Sequence, residues 1–388
     1  MRNNVKVYIG MSGGVDSSLA AALLVEQGYD VTGVYMKNWS QDLPGMKCPW
    51  AEDLADAKRV AVQLGIDFKV FDFEKEYKQK VVDYMIDEYK NGRTPNPDIM
   101  CNQEVKFKLF LNAALDDGAD MIATGHYARV GKCDNSSTIP SERLHAGHDK
   151  GPGALSHSDC RCSSKTDANL SAGVLLRAVD DNKDQTYFLY RVTGGALAKT
   201  LFPIGELTKP EVRIMAEKRG LTTAIKKDSQ GICFVGQIGI REFLTQYVDL
   251  KAGNIIDKKS GKVLGHHDGA IFYTLGQRHG LDLGGGLPYY VVGKDMDKNE
   301  VYVTTDLNDN TLWHDTVRLH NIHWINDAPQ NGNYQIRSRH RAPLVDADLE
   351  INNDEVNLKL VDSQRAFAPG QSVVIYDDQV CLGGGIII

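Results

Sequence analysis

The stretch Gly10–Ser18, GMSGGVDSS, constrains this chain more than any other. Before it runs Val5-Lys6-Val7-Tyr8-Ile9, apolar and β-branched, the composition of a buried strand. After it, Leu19-Ala20-Ala21-Ala22-Leu23-Leu24 consists of strong helix formers. A strand, a glycine turn and a helix start in that order form an anion cradle. The glycines let backbone N–H groups turn inward, the helix N-terminus adds partial positive charge, and Ser12, Ser17 and Ser18 offer hydroxyl donors. A Walker loop would continue into Gly-Lys-Ser/Thr so that a lysine reaches the outer phosphates. Here Asp16 stands where that chemistry wants a cation, a useful substitution if the carboxylate reaches a Mg²⁺ ion directly or through water. The plain alternative is a glycine-rich turn that binds nothing.

Through residue 125 strand and helix alternate as a parallel, doubly wound α/β sheet requires. Strands are predicted at Val31–Met36, Phe68–Phe73 and Asp120–Thr124, and helices at Asp53–Leu64, Glu74–Lys90 and Gln103–Leu115. Two prolines in Gly92–Asp98 end the second of these helices. Asn102 is the expected N-cap of the third. Ligands of such sheets sit beyond the carboxyl ends of the strands, so the segments after Ile9, Met36, Met100 and Thr124 should converge. Residues 131–173, rich in Ser, Gly, His, Asp and Asn, read as a flexible insertion. Cys133, Cys160, Cys162, His145, His148 and His157 are zinc-type ligands, but Cys-x-Cys lacks the usual two-residue spacer; filler is the better reading and no metal site is expected. Order returns at Val174, and a helix begins at Pro210, a proline tolerated in the first turn. After Gly253 short β segments alternate with Gly, Asn and Asp turns, and from about Leu281 they read as a small β-barrel or sandwich.

The net charge of −7 argues against a uniformly basic surface but leaves room for a local basic face. Basic residues recur at Lys106 and Lys108, across Lys209, Arg213, Lys218, Arg219, Lys226 and Lys227, and at Arg337, Arg339, His340 and Arg341. Arg337, Arg339 and Arg341 alternate as though on one strand face, a candidate phosphate-binding surface. Seven irregularly spaced cysteines do not form a secreted disulfide framework. Cys101, just before a predicted helix start, and Cys233, after Lys226-Lys227 and a glycine, occupy settings that favour a thiolate; the alternative for each is a small buried hydrophobe. No apolar run approaches membrane-spanning length and no leader-like segment precedes the first strand, so no membrane partner and a cytoplasmic location are expected.

The SGGxDS pattern resembles the loop of the ATP pyrophosphatase superfamily, whose members cut ATP between its α and β phosphates. Over nearly its whole length, apart from 131–173, the chain resembles the tRNA-specific 2-thiouridylases. The matching strings include SGGVDSS, MKNW, GRTPNPDIMCN, KFK, ATGHYAR, NKDQTYFLY, LFPIGELTKPEVR, KKDSQGICF, HDGA, YTLGQRHGL, PGQ and CLGGG. The resemblance implies an ATP-pyrophosphatase domain over 1–205, a tRNA-contacting central domain over 206–280 and a C-terminal β-barrel over 281–388. It implies ATP with Mg²⁺, tRNA as substrate, and a partner protein that delivers sulfur. Gly10, Met11, Ser12, Gly13, Gly14, Val15, Asp16 and Ser17, with Met36 and Gly125, would hold the nucleotide. Cys233 would carry a persulfide, with Cys101 as its catalytic partner and disulfide mate. Asn96, Pro97 and Asp98 would meet the target base, while His126, Lys183, Asp184, Gln185, Arg339, His340 and Gln371 would contact tRNA.

The implied chemistry is coherent. Adenylation turns the uridine 2-oxygen into a leaving group, and a persulfide is a soft, renewable nucleophile. The family commonly has tyrosine where His340 stands, a short connection in place of 131–173, and in some members a polar tail beyond the final isoleucines. Two rival readings are an AMP-forming synthetase for a small molecule, which needs neither cysteine, and a non-catalytic RNA-binding protein.

Overall fold

A computed structural model of the chain describes residues 4–42, 48–132, 172–227, 239–284, 286–365 and 367–388. Cys233 and the cysteines and histidines of 133–171 lie outside the described residues.

Five parallel strands form the first sheet: β1 (Lys6–Gly10), β2 (Asp30–Lys37), β3 (Asp67–Asp72), β4 (Met121–Thr124) and β7 (Thr200–Leu201). Their order is β3-β2-β1-β4-β7. The order reverses between β1 and β4, where Gly10 stands opposite both Val34 and Thr124. Such a switch point opens a crevice at the carboxyl ends of the strands. One face of the sheet is covered by α1 (Val15–Glu26), α2 (Trp50–Leu64) and the helix Lys209–Lys218, which share a core built on Ile9, Leu19, Val60 and Val212. The other face packs Tyr8 and Ile122 against Val81, Met85, Val105 and Phe110.

The helix starting at Glu74 widens into a π turn over Lys78–Asp83 before Tyr84–Lys90. A second helix does the same, from Pro97–Met100 through Cys101–Phe110 to Leu111–Asp116. This second helix starts earlier than the sequence suggested. Asn96, not Asn102, is its N-cap, accepting from the N–H groups of Asp98 at 3.1 Å and Ile99 at 3.4 Å. Proline at the first helical position lacks only an N–H that has no intrahelical partner anyway, so Asn-Pro-Asp opens the helix rather than preceding it. Asn102 lies inside, where its Nδ2 donates to the Phe188 carbonyl at 3.0 Å.

A four-stranded mixed sheet follows, built from β8 (Gly253–Asp257), β9 (Val263–His267), β10 (Tyr290–Asp295) and β11 (Glu300–Thr304) in the order β10-β11-β8-β9. β10 and β11 were expected in the barrel. They join this sheet because Val291, Val301 and Val303 share a core with Ile255 and Tyr273. The barrel strands begin only at β12 (Trp313–Trp324) and continue through β13 (Gly332–Arg337), β14 (Val345–Asn352), β15 (Glu355–Arg365), β16 (Ser372–Asp377) and β17 (Val380–Ile387). They run β12-β15-β14-β13-β16-β17, and β17 pairs back to β12, closing an antiparallel barrel. The hairpin β5 (Arg129–Lys132) and β6 (Gly173–Leu176) extends this sheet through pairing of β6 with β17.

The three arginines expected on one strand face do not share it. β13 ends at Arg337, and Arg341 has a φ of +63°, so the alternation stops. The Arg337 side chain is buried and donates from Nη1 to Asp184 Oδ2 at 2.7 Å. Asp184 is itself 0% exposed and also accepts from the Thr186 hydroxyl at 2.9 Å. Arg177 Nε also lies 3.8 Å from Asp184 Oδ2, so Arg337→Met leaves Asp184 only this more distant cation and should lower stability, by at most about 3–5 kcal/mol. Chemical denaturation is the check, with part of the loss restored when Asp184→Asn is added.

Candidate active site

The crevice is lined by the loop after β1. Gly13, at φ +73°, backs onto α2 so closely that a Cβ would lie 2.4 Å from the Asp53 carbonyl oxygen. Only glycine fits there. Gly14 is the N-cap of α1, and Met11 and Val15 are buried beneath the turn. Ser12 is exposed, whereas Ser17 and Ser18 turn inward and donate to the Gly14 carbonyl at 3.2 and 2.8 Å. The Ser17 oxygen also accepts from the Ser12 N–H at 3.2 Å, bracing the turn from below. The Ser18 hydroxyl is thus committed to the fold. Met36 reaches the end of β1, where its Cε would meet a Cβ on Gly10 at 2.8 Å. Gly125, after β4, lies flush on the start of α1: a Cβ there would be 2.6 Å from the Ser17 nitrogen. The structure therefore brings together Gly10–Ser17, Met36 and Gly125, three of the four segments expected to converge; the fourth, after Met100, ends no strand and continues the helix that Asn96 caps.

The loop's cation comes from far along the chain. Lys209 is only 8% exposed, and its Nζ donates to Asp16 Oδ1 at 2.7 Å, beside the Tyr127 hydroxyl, which donates to the same oxygen at 2.8 Å. Lys209 opens the helix Lys209–Lys218, whose start is fixed by Thr208, Glu211 and Pro210; its own N–H donates to Asp180 at 2.9 Å. Sequence reading placed Lys209 in a basic run and within the string LFPIGELTKPEVR, without giving it a role at the nucleotide loop. No local pattern marks it, and only the packing of its helix against α1 does. The donors available here — a glycine turn, a helix N-terminus and a buried ammonium — fit a polyphosphate. Among the described residues no group of three His, Cys, Asp or Glu side chains gathers at one point. A Mg²⁺ ion would take Asp16 with phosphate oxygens and water.

A second feature lies where the first unit meets the barrel. A cavity of about 330 Å³ is lined by Asn96, Asp98, Phe188, Arg339, His340 and Gln371, among others. Five of these six were expected to touch base or tRNA, and they come from opposite ends of the chain. Pro97 is buried below the rim. His340 packs on Phe188 with ring centroids 4.6 Å apart. Burial, aided by the charges of Arg341 and Arg337, pushes its imidazole down to about 4, so the ring is neutral at pH 7.

The remaining expected contacts are not in this cavity's lining. Asp184 is the buried partner of Arg337 and presents no oxygen to solvent. Gln185 accepts from the Tyr127 N–H at 2.9 Å, tying its loop to the segment after β4, and Lys183 is partly exposed. His126 is buried beside Phe107 and Phe202, with Nδ1 2.7 Å from the Thr124 hydroxyl; desolvation holds it neutral. Cys101 is also buried, in the first turns of the helix capped by Asn96 rather than just ahead of a helix start. Cys48 and Cys381 are buried as well, and desolvation raises both thiols.

Fold and loop together define an ATP-using enzyme of the HUP-domain class. The family model described as the tRNA methyl transferase HUP domain matches residues 5–237. Those for the tRNA methyl transferase PRC-barrel domain and the aminomethyltransferase beta-barrel domain match 241–305 and 314–387. The tRNA-specific 2-thiouridylase MnmA of Bacillus cytotoxicus is 43% identical over 389 residues, 99% of this chain and 95% of its own length. The protein of the same name from Bacillus anthracis matches to the same extent. The chain belongs to the tRNA-specific 2-thiouridylase family. Among solved structures, the U34-tRNA thiolase NcsA from Methanococcus maripaludis aligns at a TM-score of 0.32 and 16% identity, over 57% of this chain and 59% of that one.

Lys209→Ala should weaken ATP binding about tenfold or more, the scale of one buried charge-assisted contact, as read by titration calorimetry. The neutral state of His340 has a pH consequence. Between about pH 6.5 and 4 the unfolded chain binds a proton there that the folded chain refuses, so stability falls as pH is lowered across that window. His340→Phe, which keeps a ring on Phe188, should flatten this part of the wild-type decline in denaturation midpoints measured from pH 7 to 4.5.

Proposed function

We propose that the protein thiolates the wobble uridine of tRNA at its 2-position, consuming ATP and releasing AMP and pyrophosphate. The observation that carries this reading is the shared cavity, with Asn96 and Asp98 facing Arg339, His340 and Gln371, at the start of the helix that bears Cys101. A base leaving the anticodon stack needs such a pocket, with polar edges to bond and a ring to stack on. The uridine 2-oxygen attacks the α-phosphorus of ATP and pyrophosphate departs. Gly10–Ser17 and Lys209 bind the phosphates, and Asp16 would hold a Mg²⁺ ion, which would supply positive charge against the departing pyrophosphate.

Sulfur arrives on Cys233 as a persulfide supplied by a partner protein. Its terminal sulfur attacks C2 and expels AMP, leaving the uridine joined to Cys233 through an S–S bond. The Cys101 thiolate then attacks the Cys233 sulfur. The electron pair of the broken bond stays on the sulfur of the new 2-thiouridine, and a Cys101–Cys233 disulfide is left for an external thiol to reduce. Burial of Cys101 keeps it from water and oxidants until this step. A tRNA substrate is compatible with a cytoplasmic location.

With ATP, Mg²⁺, sulfide and tRNA, the purified protein should yield 2-thiouridine detectable by nucleoside mass spectrometry. Cys101→Ser and Cys233→Ser should each reduce turnover by orders of magnitude in the persulfide-fed reaction while ATP binding persists. AMP formation on a small acceptor, indifferent to both substitutions, would point instead to a small-molecule synthetase.

A further inference from the structure

The string YTLGQRHGL, residues 273–281, has no part in the site described so far, yet its loop is built against it. The Thr274 hydroxyl lies 3.1 Å from that of Thr94, and Thr94 lines the cavity beside Asn96. The loop is held by its own bonds. The Gln277 N–H donates to the Thr274 carbonyl at 3.0 Å, Gln277 Oε1 accepts from the Thr274 N–H at 3.0 Å, and Nε2 donates to the His279 carbonyl at 2.8 Å. Two backbone bonds to Val291 fasten it to β10. Gln277 is therefore committed inward, while Arg278 and His279 are exposed.

Many other cations of this chain are already neutralised. Arg93 pairs with Glu88 at 2.7 Å, Arg337 with Asp184 at 2.7 Å, Lys226 with Asp53 at 2.8 Å and Arg219 with Glu26 at 2.7 Å. Arg278 makes no ion pair or side-chain hydrogen bond among the described residues. It follows directly on a turn, so its Cα lies within about 11 Å of that of Thr274. A rigid loop docked on a base-sized cavity, with an uncommitted guanidinium in an acidic protein, is suited to a phosphate diester of the strand entering that cavity.

The resemblance implies only that the central domain touches tRNA; we propose, beyond that, that Arg278 of the Thr274–Gly280 loop grips a backbone phosphate flanking the nucleotide held in the cavity. The inference rests on tRNA being the substrate. Such a contact positions the strand without reading its sequence, and it complements Arg339, which is exposed on the barrel side of the same cavity.

The test compares wild type, Arg278→Gln and Arg278→Lys for retention of tRNA on filters across a salt series, with ATP binding measured in parallel to establish that each variant is folded. Arg278→Gln should bind tRNA about 3–10-fold more weakly, with a salt dependence shallower by a little under one unit, at unchanged ATP affinity. Arg278→Lys should recover most of the salt slope but only part of the affinity. If wild type retains tRNA and Arg278→Gln superimposes on it, the assignment of Arg278 is overturned while the tRNA reading stands. If wild type retains no tRNA at any salt, the tRNA reading falls and this inference with it.

Discussion

Thr94 is where the three units of this protein are held to one another. Its N–H donates to the Pro369 carbonyl of the barrel at 3.0 Å, and its hydroxyl meets Thr274 of the mixed-sheet unit. The residues around it admit little adjustment. Gly92 and Gly370 both have positive φ, and a Cβ on them would press on Met296 and Arg93 respectively. Two residues beyond Thr94, Asn96 caps the helix that carries Cys101. A few hydrogen bonds on one short loop thus set both the cavity and the direction of the helix behind it. The order of the units matters less than their meeting on Gly92–Asp98.

The nucleotide loop shows a similar dependence on distant chain. An aspartate beside a phosphate cradle looks electrostatically perverse when Gly10–Ser18 is read alone. In the fold it is one half of a partly buried ion pair with Lys209, whose ammonium a phosphate entering the cradle would also meet.

Much of this was legible in the chain itself. The alternation of apolar strands and helices dictates the parallel sheet, whereas its strand order and switch point came only with the structure. Asn96, Asp98, Arg339, His340 and Gln371 were read from motifs and do line one cavity. What failed depended on contacts that no local pattern records. The Arg337-x-Arg339-x-Arg341 spacing looks like an exposed strand face, but the strand ends at Arg337 and Asp184 captures its side chain. Asp184 looked equally suited to a polar surface until that partner was in view. β10 and β11 carry the same short-strand signature as the barrel and were assigned to it; only core sharing with Ile255 separates them. Asn102 looked like a cap because the two prolines ahead of it were read as a break, whereas Pro97 is the first residue of the helix.

The hairpin of β5 and β6 carries one last implication. Lys132 stands directly opposite Gly173 in its ladder, so the two ends of the intervening segment are held side by side. Whatever length of chain lies between, the entropy of bringing its ends together is met by the ladder and by the sheet it extends. Evolution can therefore write into that position, adding or deleting tens of residues, without moving Gly125 or Tyr127 a few residues upstream.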